Sequence, residues 1–271
     1  ILMILSHKYK FIFIKTKKTA STSLEIALSK ICGKNDIITP LSELTFFGKI
    51  RRFEKNNEED LRKKINGKKP QNYKGSFIFE TIFLIKQMFH FYYHMLVAII
   101  MKPKNITLLK KKRRYKFEQH MEIEEVKNKV NKDVYDKYMK FAVVRNPYDQ
   151  CISDYFDANK RPGNLKHKNF DYYLKNRLNY FFYKNKRKIS INDNLEINNY
   201  IRYESLKGDL VKILKKLKIP HKQIIKDMKK VKAHGGIRDK KFNVNNLNKV
   251  KKNKIIKASN FFIKNFYKKL N

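Results

Sequence analysis

Twice this chain runs a short, β-rich apolar stretch through a tight junction directly into helical spacing. The first, Tyr9 to Thr16, reads Tyr-Lys-Phe-Ile-Phe-Ile-Lys-Thr, the aromatic and β-branched composition of a buried strand. A small-residue loop follows. Then Thr22 to Ile31 places Leu24, Ala27, Leu28 and Ile31 at helical intervals. The second, Lys140 to Arg145, is Lys-Phe-Ala-Val-Val-Arg, closed by Asn146-Pro147. Tyr148 to Ala158 continues as a helix, with Pro147 suited to its first turn. Strands that alternate with helices predict an α/β fold with a central parallel sheet flanked by helices.

Other segments extend the pattern. Glu122 to Met139 reads as a helix and Ile197 to Tyr203 as a third strand. Leu206, Leu210, Leu214 and Leu217 make an amphipathic helix that ends before Pro220, and Ile255 to Leu270 looks helical. No internal repeat is visible, so residues 1–271 are read as one domain. Between about Thr39 and Tyr115 the periodicity blurs, and residues 39–115 are read as a mainly helical insertion. Its apolar part, Phe77 to Met101, is broken by Glu80, Lys86, Gln87, His90 and His94. A bilayer span needs ~20 predominantly apolar residues, so a packed helix or a peripheral membrane contact is expected there rather than a span. Ile1-Leu2-Met3-Ile4-Leu5 is too short for the apolar core of a signal peptide, and Met3 is a candidate start. The expected location is cytoplasmic, with membrane association through 77–101 left open.

Charge bears on partners more than on fold. Lys plus Arg number 64 against 24 for Asp plus Glu, a formal net charge of +40. Such an excess suits nucleic acid or another anion. The basic residues are nearly all Lys and are scattered along the chain, beside abundant Asn, Ile, Phe and Tyr. Most therefore read as solvated surface in an A/T-rich coding style, and an anionic substrate remains compatible. Cys32 and Cys151 cannot make a disulfide framework, and no CxxC spacing exists. They read as small buried side chains in a reducing compartment.

The first junction, Lys17-Lys18-Thr19-Ala20-Ser21-Thr22-Ser23, has the makings of a phosphate site. A loop entering a helix presents free backbone N–H groups, and the helix dipole adds partial positive charge. Small side chains allow close approach, Lys18 adds a point charge, and Thr22 and Ser23 offer hydroxyls. The Walker pattern GxxxxGK[ST] is absent, which disfavours an NTP hydrolase. The same letters also fit a plain Ser/Thr N-cap after a basic turn. The second junction holds Arg145 at a strand end and Ser153 two turns into the next helix. Both can converge on one phosphate at the carboxyl edge of the sheet. Alone, Arg145 also fits a structural ion pair.

Together the two segments resemble the PAPS-dependent sulfotransferases. Lys18-Thr19-Ala20-Ser21-Thr22-Ser23 is similar to that family's 5′-phosphosulfate loop, and Arg145 with Ser153 to its 3′-phosphate site. Phe117-Glu118-Gln119-His120-Met121 before a helix, and Ile201-Arg202-Tyr203-Glu204-Ser205-Leu206, resemble the carbohydrate-type branch, which includes uronyl 2-O- and chondroitin-type enzymes. The resemblance covers about residues 8–32, 115–160 and 195–220. Ala20-Ser21 departs from it where glycine is frequent, and counting back from Thr22-Ser23 favours Lys18 over Lys15 as the loop lysine.

The resemblance implies a P-loop-like three-layer fold and transfer of a sulfuryl group from PAPS to an acceptor hydroxyl, and its carbohydrate-type branch implies a saccharide acceptor. Lys18 would neutralise charge on the leaving oxygen, and no metal is implied. His120 occupies the position of a general base for the acceptor proton, with Glu118 as its competitor. His90 and His94, four apart, lack an evident third metal ligand. His234-Gly235-Gly236-Ile237-Arg238-Asp239-Lys240-Lys241 fits either a loop over the nucleotide or a surface turn. Two rivals stand beside this reading. A basic nucleic-acid-binding protein lacks a groove-reading or base-stacking motif here. A kinase-like phosphotransferase lacks the Walker Lys-Ser/Thr and evident metal carboxylates.

Overall fold

The apolar runs pair into a five-stranded mixed sheet in the computed structural model. The structure describes residues 3–39, 117, 121–160, 167–230 and 242–268. All of these fall within one of the two compact units into which the chain divides. The strands are β1 (Met3–Ser6), β2 (Phe11–Ile14), β3 (Ile37–Ile38), β4 (Met139–Val144) and, after the small hairpin β5 (Ser190–Ile191) and β6 (Asn194–Leu195), β7 (Asn199–Arg202). Their order is β3-β1-β2-β4-β7. β2, β4 and β7 are parallel, with Phe13 opposite Phe141 and Val143 opposite Ile201.

The expected central parallel sheet is present in these three strands, and the sheet as a whole is mixed. β1 runs antiparallel to β2, and β3 antiparallel to β1. The reason is local. Only residues 7–10 join β1 to β2, too few for a crossover, so the link must be a hairpin. The opening apolar residues supply β1, which is buried along its whole length. Thr39 ties its start, accepting from the Met3 amide at 2.8 Å.

The helices are α1 (Ser21–Ser29), α2 (Ile123–Lys129), α3 (Lys132–Lys137), α4 (Pro147–Lys160), α5 (Phe170–Asn176), α6 (Leu178–Lys186), α7 (Leu206–Lys216), α8 (His221–Lys230), α9 (Lys249–Ala258) and α10 (Asn260–Phe266). Side chains alternate across a strand, so each strand feeds two cores. Ile12, Ile14, Ala142 and Val144 pack with residues of α2, α4, α5, α6, α9 and α10. Phe11, Phe13, Phe141, Val143 and Ile201 face the other way, onto Leu24 and Leu28 of α1, Leu210 and Leu214 of α7 and Ile224 of α8. Helices therefore cover both faces.

Two expected helices are broken in the structure. The one read over Glu122 to Met139 stops at Val130, which is extended, and Asn131 caps α3 by accepting from the Asp133 amide at 2.9 Å. An Asn side chain competes with the helix for backbone donors, which favours a cap over continuation. The C-terminal helix likewise divides at Ser259 into α9 and α10, and begins earlier than the apolar spacing suggested. Among the described residues no helix is long and apolar enough to cross a membrane. The expected helix over 77–101, with His90 and His94, lies outside the described residues, as does nearly all of the insertion read over 39–115.

Candidate functional site

Parallel strands bring their carboxyl ends to one edge, and there the junctions after β2 and β4 meet. The loop after β2 turns sharply. Lys18 and Ala20 adopt left-handed backbone, with φ of 63° and 58°. A non-glycine residue in that region is strained by roughly 1–2 kcal/mol. Several contacts hold the loop in place. The Thr16 hydroxyl donates to the Val143 carbonyl, the Lys17 amide donates to Asn185 Oδ1 at 2.8 Å, and Gln150 Nε2 donates to the Lys17 carbonyl at 2.7 Å. The hydroxyls of Thr16, Thr19 and Ser21 also form a linked chain. Thr19 and Ser21, at 1% and 2% exposure, therefore brace the loop from inside.

α1 starts without a side-chain cap, from the left-handed Ala20. The amides of Ser23 and Leu24 bond the Ala20 carbonyl, whereas those of Ser21 and Thr22 make no bond among the described residues. Orphan amides at a helix start, beside Lys18, are the elements of an anion cradle.

Arg145 reaches this loop from the end of β4. Its Nη1 donates to the Lys18 carbonyl at 3.0 Å, and its Nε and Nη2 both donate to Asp149 Oδ2. The guanidinium stacks 4.1 Å from the ring centre of Tyr203, in the 3-10 turn Tyr203–Ser205 after β7. Three of the five N–H donors of the guanidinium are engaged, which leaves two among the described residues for a ligand. Glu204 fixes the same corner, accepting from the Asn146 amide at 2.6 Å and from the Tyr267 hydroxyl at 2.9 Å.

Ser153 has a definite place between these cations. Asp149, Ser153 and Asp157 follow one another at four-residue intervals on α4, so they form one stripe. Asp149 holds Arg145, and Asp157 Oδ1 lies 3.0 Å from Lys18 Nζ. The half-buried Ser153 thus sits between the partners of the two cations. Lys15 turns elsewhere, toward Glu25 at 3.8 Å. The choice of Lys18 over Lys15 places the loop cation on the Arg145 side.

Electrostatics at this edge are dominated by lysines. Burial pushes the Lys17 amine below its usual range, against partial compensation by Asp154 and Asp157. Lys188, just after α6, is 4% exposed, and burial together with Lys17, Lys15 and Lys184 pulls its amine down to about 7. Cys151 is fully buried, its thiol pushed up by burial, and Cys32 is partly exposed. Among the described residues no group of His, Cys, Asp and Glu could hold a metal ion.

His120, Glu118 and the segment from His234 to Lys241 lie outside the described residues. Asp149, Asp157, Tyr203, Gln150, Asn185 and Lys188 also stand at this edge and are not among the residues expected from the sequence. For the first two a signal existed: the carboxylates Asp149 and Asp157 flank Ser153 at four-residue spacing in the segment read as a helix. Lys188 carried none, since it is one cation in a Lys-Asn-Lys-Arg-Lys run and only burial distinguishes it. Compared with known protein families, curated proteins and solved structures, the chain matches none.

Proposed function

We propose that this chain is a PAPS-dependent O-sulfotransferase with a P-loop-like sheet, acting on a hydroxyl acceptor of saccharide type. One observation carries the reading. The stripe Asp149–Ser153–Asp157 joins Arg145 to Lys18, so both phosphate segments of the resemblance border one edge of the sheet. Chemistry built from two phosphate subsites needs both within a single ligand's reach, and the nearness of the two segments supports that reading.

In this reading the amides of Ser21 and Thr22, with Lys18, Thr22 and Ser23, receive the 5′-phosphosulfate. Thr19, Ala20 and Ser21 shape the loop, and Arg145 with Ser153 takes the 3′-phosphate. The acceptor oxygen attacks sulfur in line. A new S–O bond forms as the bond to the 5′-phosphate oxygen breaks, and the hydroxyl proton passes to a base. His120 is the proposed base, with Glu118 as competitor. Catalysis rests on positioning and on charge stabilisation at the leaving oxygen, where Lys18 contributes after exchanging Asp157 for the ligand. The strained Lys18 and Ala20 backbone fits a pre-shaped binding loop.

The test is a thermal-shift comparison of adenosine 3′,5′-bisphosphate (PAP), PAPS, ATP and a short DNA duplex. Stabilisation by PAP and PAPS alone is expected, because bound ligand raises the melting point by mass action. Stabilisation by the duplex alone would replace the proposal with a nucleic-acid-binding role.

A further inference from the structure

We infer that the outer edge of β7, with the groove between it and α7, is a docking site for an extended acidic segment of a partner protein, taken up as an added strand. β7 ends the sheet, so among the described residues one side of its backbone pairs with no strand. Of its four residues only Ile201 is buried, whereas β2 is buried throughout. An unpaired edge offers a row of backbone donors and acceptors that an extended chain can satisfy. A cavity of about 170 Å³ lies beside this edge, lined by Asn199, Tyr200 and Arg202 of β7 and by Asp209, Lys212 and Lys216 of α7.

Charge selects the occupant. The groove sets three cations against one carboxylate, and that carboxylate is taken. Asp209 Oδ2 accepts from the Arg202 amide at 3.1 Å, from Arg202 Nε at 3.2 Å and from the Ser205 hydroxyl at 2.7 Å. Lys216 Nζ meets a neutral partner, Asn199 Oδ1, at 3.3 Å, and Lys212 makes no hydrogen bond or ion pair among the described residues. Spacing agrees as well. Lys212 and Lys216 are one helical turn apart, about 5–6 Å between Cβ atoms. Side chains on one face of an extended strand recur every ~6.8 Å, so acids at alternate positions can meet both lysines. Lysines beside an edge also keep like strands away. A second copy of this chain, at a net charge of +40, is repelled by the same cations that admit an acidic segment. Nucleic acid matches the charge but cannot pair with a strand.

The experiment is fluorescence anisotropy with the full chain and a labelled peptide, Thr-Val-Glu-Val-Glu-Val-Thr, at an ionic strength of roughly 0.15 M. Two N-methylated versions, one for each edge of the peptide, keep its charge and block strand pairing on that edge. Saturable binding of the parent is expected, with slowed hydrogen exchange in residues 199–202. One N-methylated version should bind about tenfold or more weakly, because its facing amides no longer donate. The other should bind as the parent does. Lys212→Glu combined with Lys216→Glu, its fold checked by circular dichroism, should weaken the parent about tenfold or more through like-charge repulsion. No saturable binding, equal affinities for both N-methylated versions, or an unchanged affinity in the folded double variant overturns the inference. A short DNA duplex that displaces the peptide while both N-methylated versions bind like the parent assigns the groove to polyanions instead. No nucleotide is present, so this result and the fate of the nucleotide reading are independent.

Discussion

Replacing Lys188 with Met should stabilise the protein, and more so as pH falls. The folded state lowers the Lys188 amine from 10.5 to about 7 because burial disfavours its charged form. Between those values the unfolded chain binds more protons than the folded one. Stability therefore rises with pH across this window, by at most about 1.4 kcal/mol per pH unit for one group. Below pH 7 the full penalty is present, on the order of 4–5 kcal/mol. Lys188→Met removes it. Urea unfolding of both proteins, run from pH 6.5 to 9.5 in bis-Tris propane chloride without sulfate, reads the difference. Groups common to the two chains cancel. The variant should be more stable by several kcal/mol at pH 6.5, and its advantage should shrink by about 3 kcal/mol by pH 9.5. Parallel curves for the two proteins would show that Lys188 stays protonated through the range, and would refute the reasoning.

Four other outcomes are expected. Lys18→Ala should weaken PAP binding about tenfold in calorimetry, since a charge-assisted contact is worth ~1.5–3 kcal/mol; an unchanged affinity in the folded variant would remove Lys18 from the nucleotide site. Ala20→Gly should raise the urea midpoint by relieving the left-handed φ of 58°, whereas Ala20→Val should lower stability by about 1 kcal/mol or more; the opposite order would argue against that turn. Asn185→Leu leaves the Lys17 amide without its acceptor and should destabilise by about 1–3 kcal/mol, checked by urea unfolding. His120→Ala should lose ~10²–10⁴ in turnover with PAP affinity kept; if Glu118→Ala behaves so instead, the two roles exchange.

The parts of the fold legible in the sequence are those where one local rule dominates. β4 and α4 follow from an apolar run closed by Asn146-Pro147, and α7 from its leucine spacing before Pro220. The sheet's mixed character was hidden. Only the length of the 7–10 link decides it, and the apolar residues at the start of β1 are too few to distinguish a strand from other short apolar segments. α5 and α6, rich in Phe and Tyr, have a composition that favours strands, and tertiary packing of Phe170, Tyr173 and Phe182 overrides it. At the candidate site the sequence offered the cations and hydroxyls. It did not reveal that Asp149 and Asp157 hold Arg145 and Lys18 in place, because pairing depends on which faces meet. Nor did it separate Thr19 and Ser21, which are bound up inside the loop, from Ser153 on the open stripe.

The central claim is that Arg145 reads a 3′-phosphate, and it is tested most directly by titrating PAP and AMP into the wild-type protein and Arg145→Ala. AMP lacks the 3′-phosphate and otherwise matches PAP. The wild type should bind PAP at least about tenfold more tightly than AMP, and that preference should collapse in Arg145→Ala while AMP affinity holds. Equal affinities for the two nucleotides in the wild type, or a preference that survives the loss of Arg145, would contradict the assignment.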